Sequence, residues 1–133
     1  MIVASFLENL SAWAATRPDV IALGLVGSHA RGTARPASDI DVVILCHRAV
    51  AILESDWPSL FGDVEARTIE DYGALTSVRV SSQDGLEVEF GVAEPDWARI
   101  PLDVGTRAVL ADGMRILYDP ERLLELAANA AVA

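Results

Sequence analysis

Two short polar segments, each at the edge of an apolar run, hold the side chains of this chain best placed to do chemistry. The first is Gly27-Ser28, which closes the run Val20-Ile21-Ala22-Leu23-Gly24-Leu25-Val26. A glycine lets an anion approach the backbone, a serine hydroxyl can donate to it, and the first turn of a following helix adds its positive dipole end. The second is the pair Asp39 and Asp41, at the head of the run Ile40 to Cys46. Two residues apart on a strand, the two side chains leave one face roughly 6.5 to 7 Å apart. Ionised carboxylates at that separation need a cation between them. A hard divalent ion suits them, Mg²⁺ above all, because it usually takes one or two carboxylates, several waters and substrate phosphates. Either segment alone is ordinary, since most Gly-Ser turns only cap helices and most acidic pairs end strands in solvent. Together they describe an anion cradle followed, after a short spacer, by a metal-binding pair.

Further candidates lie along the chain. Leu86-Glu87-Val88-Glu89-Phe90-Gly91-Val92 alternates so that both acids face one side and the apolar residues the other. Arg31 could reach a phosphate or brace its loop by pairing with a motif carboxylate. His29 is expected to support the loop or lie at the surface, and His47 to be solvated. Cys46, the single cysteine, sits in an apolar run where it is expected to be buried, and it can build neither a disulfide nor a cysteine metal site. Trp13, Trp57 and Trp97 are expected in the core or an interface.

These residues need elements to position them. Residues 2 to 16 place Val3, Phe6, Leu7, Leu10, Trp13 and Ala14 on one helix face, ended by Arg17-Pro18-Asp19. Val20 to Val26 and Ile40 to Cys46 are almost wholly apolar, as strands buried on both faces are. Residues 48 to 56 read as a helix broken by Trp57-Pro58. Val64 to Ile69, Ser77 to Val80 and Leu86 to Val92 read as strands of a β-meander, with Gln83-Asp84-Gly85 as a tight turn. Pro95 and Pro101 break up the next stretch. Met114 to Tyr118 is a last short strand, after which Asp119 caps a final helix with Pro120 at its first position. The order predicts an α/β (α+β) fold, a mixed β-sheet with helices packed on it.

The whole composition narrows the classes. The 133 residues, 52% apolar and 23% charged, are expected to form one domain over 1–133, without repeats or a disordered tract. No apolar run is long enough to span a membrane and no signal peptide is evident, so a cytoplasmic protein is expected. The chain has no lysine, which excludes lysine chemistry, and a formal charge of −10. That charge disfavours a long DNA or RNA partner, whose binding rests on positive charge.

The segments Gly27-Ser28-His29-Ala30-Arg31-Gly32 and Ser38-Asp39-Ile40-Asp41, followed by the apolar Val42 to Leu45, resemble the core pattern of the nucleotidyltransferase superfamily of the DNA polymerase β type. The resemblance implies that fold and Mg²⁺-dependent transfer of a nucleoside monophosphate, AMP from ATP or another NTP, to a hydroxyl. It implies Gly27 and Ser28 at the β and γ phosphates, with Arg31 and Ser38 also in the nucleotide-binding set, and Asp39 and Asp41 on the metal. A third carboxylate from a later strand is implied as well. Glu89 fits better than Glu87, because the family's third acid is typically followed by an apolar pair or an apolar-Gly step. Many relatives have Asp there, and in some antibiotic-modifying members a glutamate acts as general base. Small-molecule-modifying relatives usually continue into a helical domain, so the acceptor is expected to be held from outside this chain. A homodimer cleft would serve for a small molecule, and a helical toxin adenylylated by a bacterial antitoxin of this family would be a protein acceptor. A catalytically silent nucleotide- or partner-binding domain is the reading from a different class.

Overall fold

The computed structural model describes residues 2–54, 64–82 and 85–133. Helix α1 (Ile2–Thr16) forms as its periodicity predicts, with Phe6, Leu7, Leu10 and Ala14 buried along one face. Pro18 cannot continue it, and Arg17 folds back over the Trp13 ring at 5.5 Å while pairing with Asp19 at 3.0 Å. The chain then runs through β1 (Val20–Val26), the short α2 (Gly27–Arg31), β2 (Ile40–Cys46) and α3 (Ala49–Glu54). A meander follows, β3 (Val64–Asp71), β4 (Thr76–Ser82) and β5 (Glu87–Ala93), paired antiparallel in sequence order. The Trp57-Pro58 break and most of the Gln83-Asp84-Gly85 turn lie outside the described residues.

Among the described residues six strands form one mixed sheet in the order β3-β4-β5-β2-β1-β6, where β6 is Arg115–Tyr118. Its centre is the one parallel pairing, β2 with β5, flanked by antiparallel neighbours. Residues of alternate parity feed two apolar layers. Ile40, Val42, Ile44 and Cys46 of β2 join Val88, Phe90 and Val92 of β5 beneath α1, whereas Val43, Leu45 and Ala93 face α5 and the Pro95–Ala98 turn. On β1, Ile21 and Ala22 are consecutive yet both enter the second layer, because a bulge between Val20 and Ala22 inserts a residue there. The mixed α+β architecture is the one expected.

Two expectations about the last third need correction. The stretch containing Pro95 and Pro101 is not merely broken up: it holds a 3₁₀ turn (Pro95–Ala98) and helix α4 (Val104–Ala111). The final helix, α5, is Leu123–Ala131, so Pro120 is not its first residue. Asp119 nevertheless does the capping chemistry from a distance, its carboxylate accepting from the Leu124 and Glu125 N–H groups at 3.2 and 2.9 Å. Arg122, at φ +60, makes the reversal between cap and helix. Among the described residues no helix is long and apolar enough to cross a membrane.

Candidate active site

The acidic residues gather at one end of the central parallel pair because of strand register. Asp41 of β2 stands directly beside Glu89 of β5. Since Ile40 and Val42 point into the layer under α1, Asp41 must point to the opposite face, and the same parity sends Glu87, Glu89 and Gly91 there. Asp39 precedes β2 rather than lying on it, and its carboxylate shares a hydrogen bond with Glu87. The four acids therefore form two neighbouring pairs, Asp41 with Glu89 and Asp39 with Glu87.

Their electrostatics follow from the crowding. Burial pushes the Asp41 carboxyl above its ordinary range, and the charges of Glu89 and Asp39 push it further, while Arg79 and His29 pull it partly back. The hydrogen bond and the charge of Asp39 push Glu87 up in the same direction. Glu89 is bound on both oxygens: Ser77 Oγ donates to Oε1 at 3.0 Å and Arg79 Nη2 donates to Oε2 at 2.9 Å. Both donors come from β4, where Ser77, Arg79 and Ser81 line the acidic face and Arg79 registers opposite Glu89. Arg79 and Ser77 were not singled out from the sequence. The signal was present in the alternation of Thr76 to Ser82, but it becomes legible only once the β4–β5 register is known.

Gly27 sits where the anion cradle was expected. Its φ of +74° is left-handed, and a Cβ there would collide with the Asp41 carboxylate, so the backbone and the acid are in immediate contact only because the residue is glycine. Ser28 follows in α2, and its carbonyl accepts from the Gly32 and Thr33 N–H groups, closing that turn tightly. Among the described residues its hydroxyl has no partner. Ser38 Oγ accepts from the Arg35 N–H at 2.8 Å, and His29 Nε2 stands 3.3 Å from the Ser38 carbonyl oxygen, so both residues brace the spacer loop. Arg31 pairs with Asp112 at 2.8 Å, an acid at the end of α4 rather than a motif carboxylate. The geometry thus brings Gly27, Asp41 and Glu89 to one place, with Ser28 next along the chain, while Arg31 bonds to Asp112 and Ser38 to the Arg35 N–H.

A cleft of about 350 Å³ opens beside Asp41 and Glu89. Val26, Val43, Leu75, Trp97 and Val109 supply apolar walls between the β3–β4 turn and α4. Gly91 forms part of its floor, where a Cβ would press on the Leu75 side chain at 2.9 Å. The other candidates are accounted for structurally. Cys46 is fully buried, its thiol pushed up to about 12 by burial, Trp13 is partly buried against α1's layer, and Trp57 lies outside the described residues.

Among the described residues, no three His, Cys, Asp or Glu side chains are gathered closely enough to hold a metal ion by themselves. The donor set still suits a hard cation, because Asp41 carries repulsion that burial and its neighbours leave uncompensated, and Mg²⁺ needs no complete protein cage when phosphate oxygens share its shell.

Comparison with known proteins identifies the family and the fold. The family model described as "Nucleotidyltransferase domain" matches residues 7–98. The structure resembles an aminoglycoside 6-adenyltransferase from Bacillus subtilis, with TM-score 0.53 and 14% identity over 71% of this chain and 35% of that one. It also resembles the Cid1 poly(U) polymerase, with TM-score 0.50 and 18% identity over 68% of this chain and 29% of that one. These likenesses show the fold, and the chain spans about a third of each of those proteins. No curated protein matches it significantly.

Proposed function

Because this chain belongs to the nucleotidyltransferase domain family, we propose that it transfers a nucleoside monophosphate, AMP from ATP, to a hydroxyl of a small molecule or a protein, with pyrophosphate as the leaving group. The observation that carries the reading is the meeting of Asp41, Glu89 and the left-handed Gly27 at one end of the β2–β5 ladder.

In this reading Asp39 and Asp41 hold Mg²⁺, with Glu89 as the third carboxylate. The ion supplies charge neutralisation to the triphosphate and to the oxygens entering and leaving phosphorus. The Gly27 and Ser28 backbone, with the free Ser28 hydroxyl, binds the outer phosphates. Glu89 accepts the acceptor hydroxyl's proton on an oxygen released by its present partners. Arg31 and Ser38, which brace the loop through Asp112 and the Arg35 N–H, complete the nucleotide-binding set. The apolar cleft receives the part of the substrate that lies beyond the phosphates, within the roughly 300 to 1,000 Å³ that small-molecule sites occupy. The −10 charge favours a small or protein acceptor in the cytoplasm over a long nucleic acid.

Isothermal calorimetry with ATP and Mg²⁺ tests the site. Binding should require the metal and disappear in Asp41→Ala; metal-independent binding, or an unaltered variant, would sink the assignment. Incubation with labelled ATP and either hydroxylated metabolites or cell lysate then shows whether label enters a small molecule or a protein. The ion pair that neutralises Glu89 supports a second reading, nucleotide binding without turnover. In that case ATP binds and no label is transferred.

A further inference from the structure

Arg79 occupies a place that the motif does not call for. It lies across the β4–β5 ladder from Glu89 and bonds one of its oxygens, and its charge acts on both Asp41 and Glu87. The two donors on Glu89 differ in kind. Ser77 is buried, at 5% exposure, on its strand, and its hydroxyl holds Oε1. The Arg79 side chain is 54% exposed and ends in a long arm that can swing into solvent. An exposed ion pair of this sort is weak, so releasing it is easy. The oxygen it holds is the one Glu89 would otherwise offer.

We propose that Arg79 is a built-in counter-ion that competes with the divalent cation for Glu89, and that it lets go when a triphosphate offers the guanidinium new oxygens. The inference rests on the metal-site reading above. Without ligand, the guanidinium offsets part of the repulsion among Asp39, Asp41, Glu87 and Glu89 and keeps Glu89 extended along the strand. When metal and triphosphate arrive together, Glu89 turns to the metal and Arg79 turns to phosphate, for which its fork of donors is well suited. Metal alone must displace Arg79 without that compensation. Metal and nucleotide therefore strengthen one another's binding, and by linkage the factor is the same in both directions. Arg79 acts here as a positioning residue, through Glu89.

The test is Mn²⁺ binding followed by electron paramagnetic resonance on the full chain, with Mn²⁺ alone and with a non-hydrolysable ATP analogue present. Arg79→Met should bind Mn²⁺ alone roughly five-fold tighter than the parent, and the gain in Mn²⁺ affinity on adding the analogue should shrink. Arg79→Lys, which keeps the charge, should stay close to the parent. In a Glu89→Gln background, Arg79→Met should lose most of its effect, because the contested oxygen is gone. Unchanged or weaker Mn²⁺ binding by Arg79→Met, or the same tightening with Glu89→Gln, overturns the competition. Asp41→Asn separates that outcome from failure of the underlying site. If Asp41→Asn abolishes Mn²⁺ binding while Arg79→Met changes nothing, the metal site stands and only Arg79's role falls. If Asp41→Asn binds as the parent does, the metal-site reading itself falls and takes the proposal with it.

Discussion

Asp41 is half-buried at the head of β2 and faces Glu89 across the ladder, and both its burial and its neighbours disfavour its charged form. Its folded carboxyl, like that of Glu87, sits above the unfolded range, so the folded chain binds more protons through that window. Stability contributed by these two groups is present below the ordinary carboxylate range and is lost as pH rises through the raised values. Asp19, held low by its bond from Arg17, acts in the opposite sense and loses its contribution as pH falls. Asp41→Asn should therefore raise the melting temperature of the metal-free protein at neutral pH by a few degrees, roughly 1 kcal/mol. It should also flatten the fall in stability above the carboxylate range, as thermal melts across pH would show. At this scale the sequence was informative where a residue's type alone limits its use. Gly27 and the two aspartates could be picked out because few roles need a left-handed glycine or paired acids. Arg79, Ser77 and the Arg31–Asp112 pair could not, because each acquires meaning only from a partner brought in by another element.

Elements with a strong periodic pattern were legible, and elements made by tertiary contact were not. Helix α1 announces itself through six buried or half-buried apolar positions, and the strands of the meander through alternation. Helix α4 does not, since Val-Gly-Thr-Arg-Ala-Val-Leu-Ala mixes a glycine and β-branched residues that favour other conformations. Its buried Thr106 and Leu110, and the bonds from Arg107 to the Ala130 and Ala131 carbonyls on α5, are what hold it in place. The start of α5 is hidden for a related reason: Pro120 has the character of a first helical residue, but the left-handed Arg122 intervenes. The cap itself tests this account. Asp119→Ala removes the acceptor for two N–H groups and should destabilise the protein by about 1 kcal/mol in urea unfolding, whereas Pro120→Ala should change little.

For the molecule as a whole, one sheet serves both as core and as the platform of the site, with the apolar layer under α1 on one side and the acids and cleft on the other. The mixed architecture could be read in advance because alternating apolar runs and helical periods leave few ways to layer them. The strand order could not, because nothing local says that β5 returns to lie parallel to β2. That pairing bears on the order of events in folding. Asp41 and Glu89 lie on strands separated in sequence by a helix and a complete hairpin, so the ladder that joins them closes a long loop and is expected to form late. Two like charges must approach as it closes. A divalent cation would then find few of its ligands assembled in the transition state, so Mg²⁺ with ATP should leave the refolding rate nearly unchanged and slow unfolding. Stopped-flow chevrons with and without ligand would show the whole gain in the unfolding arm, giving the loaded protein a longer lifetime rather than a faster birth.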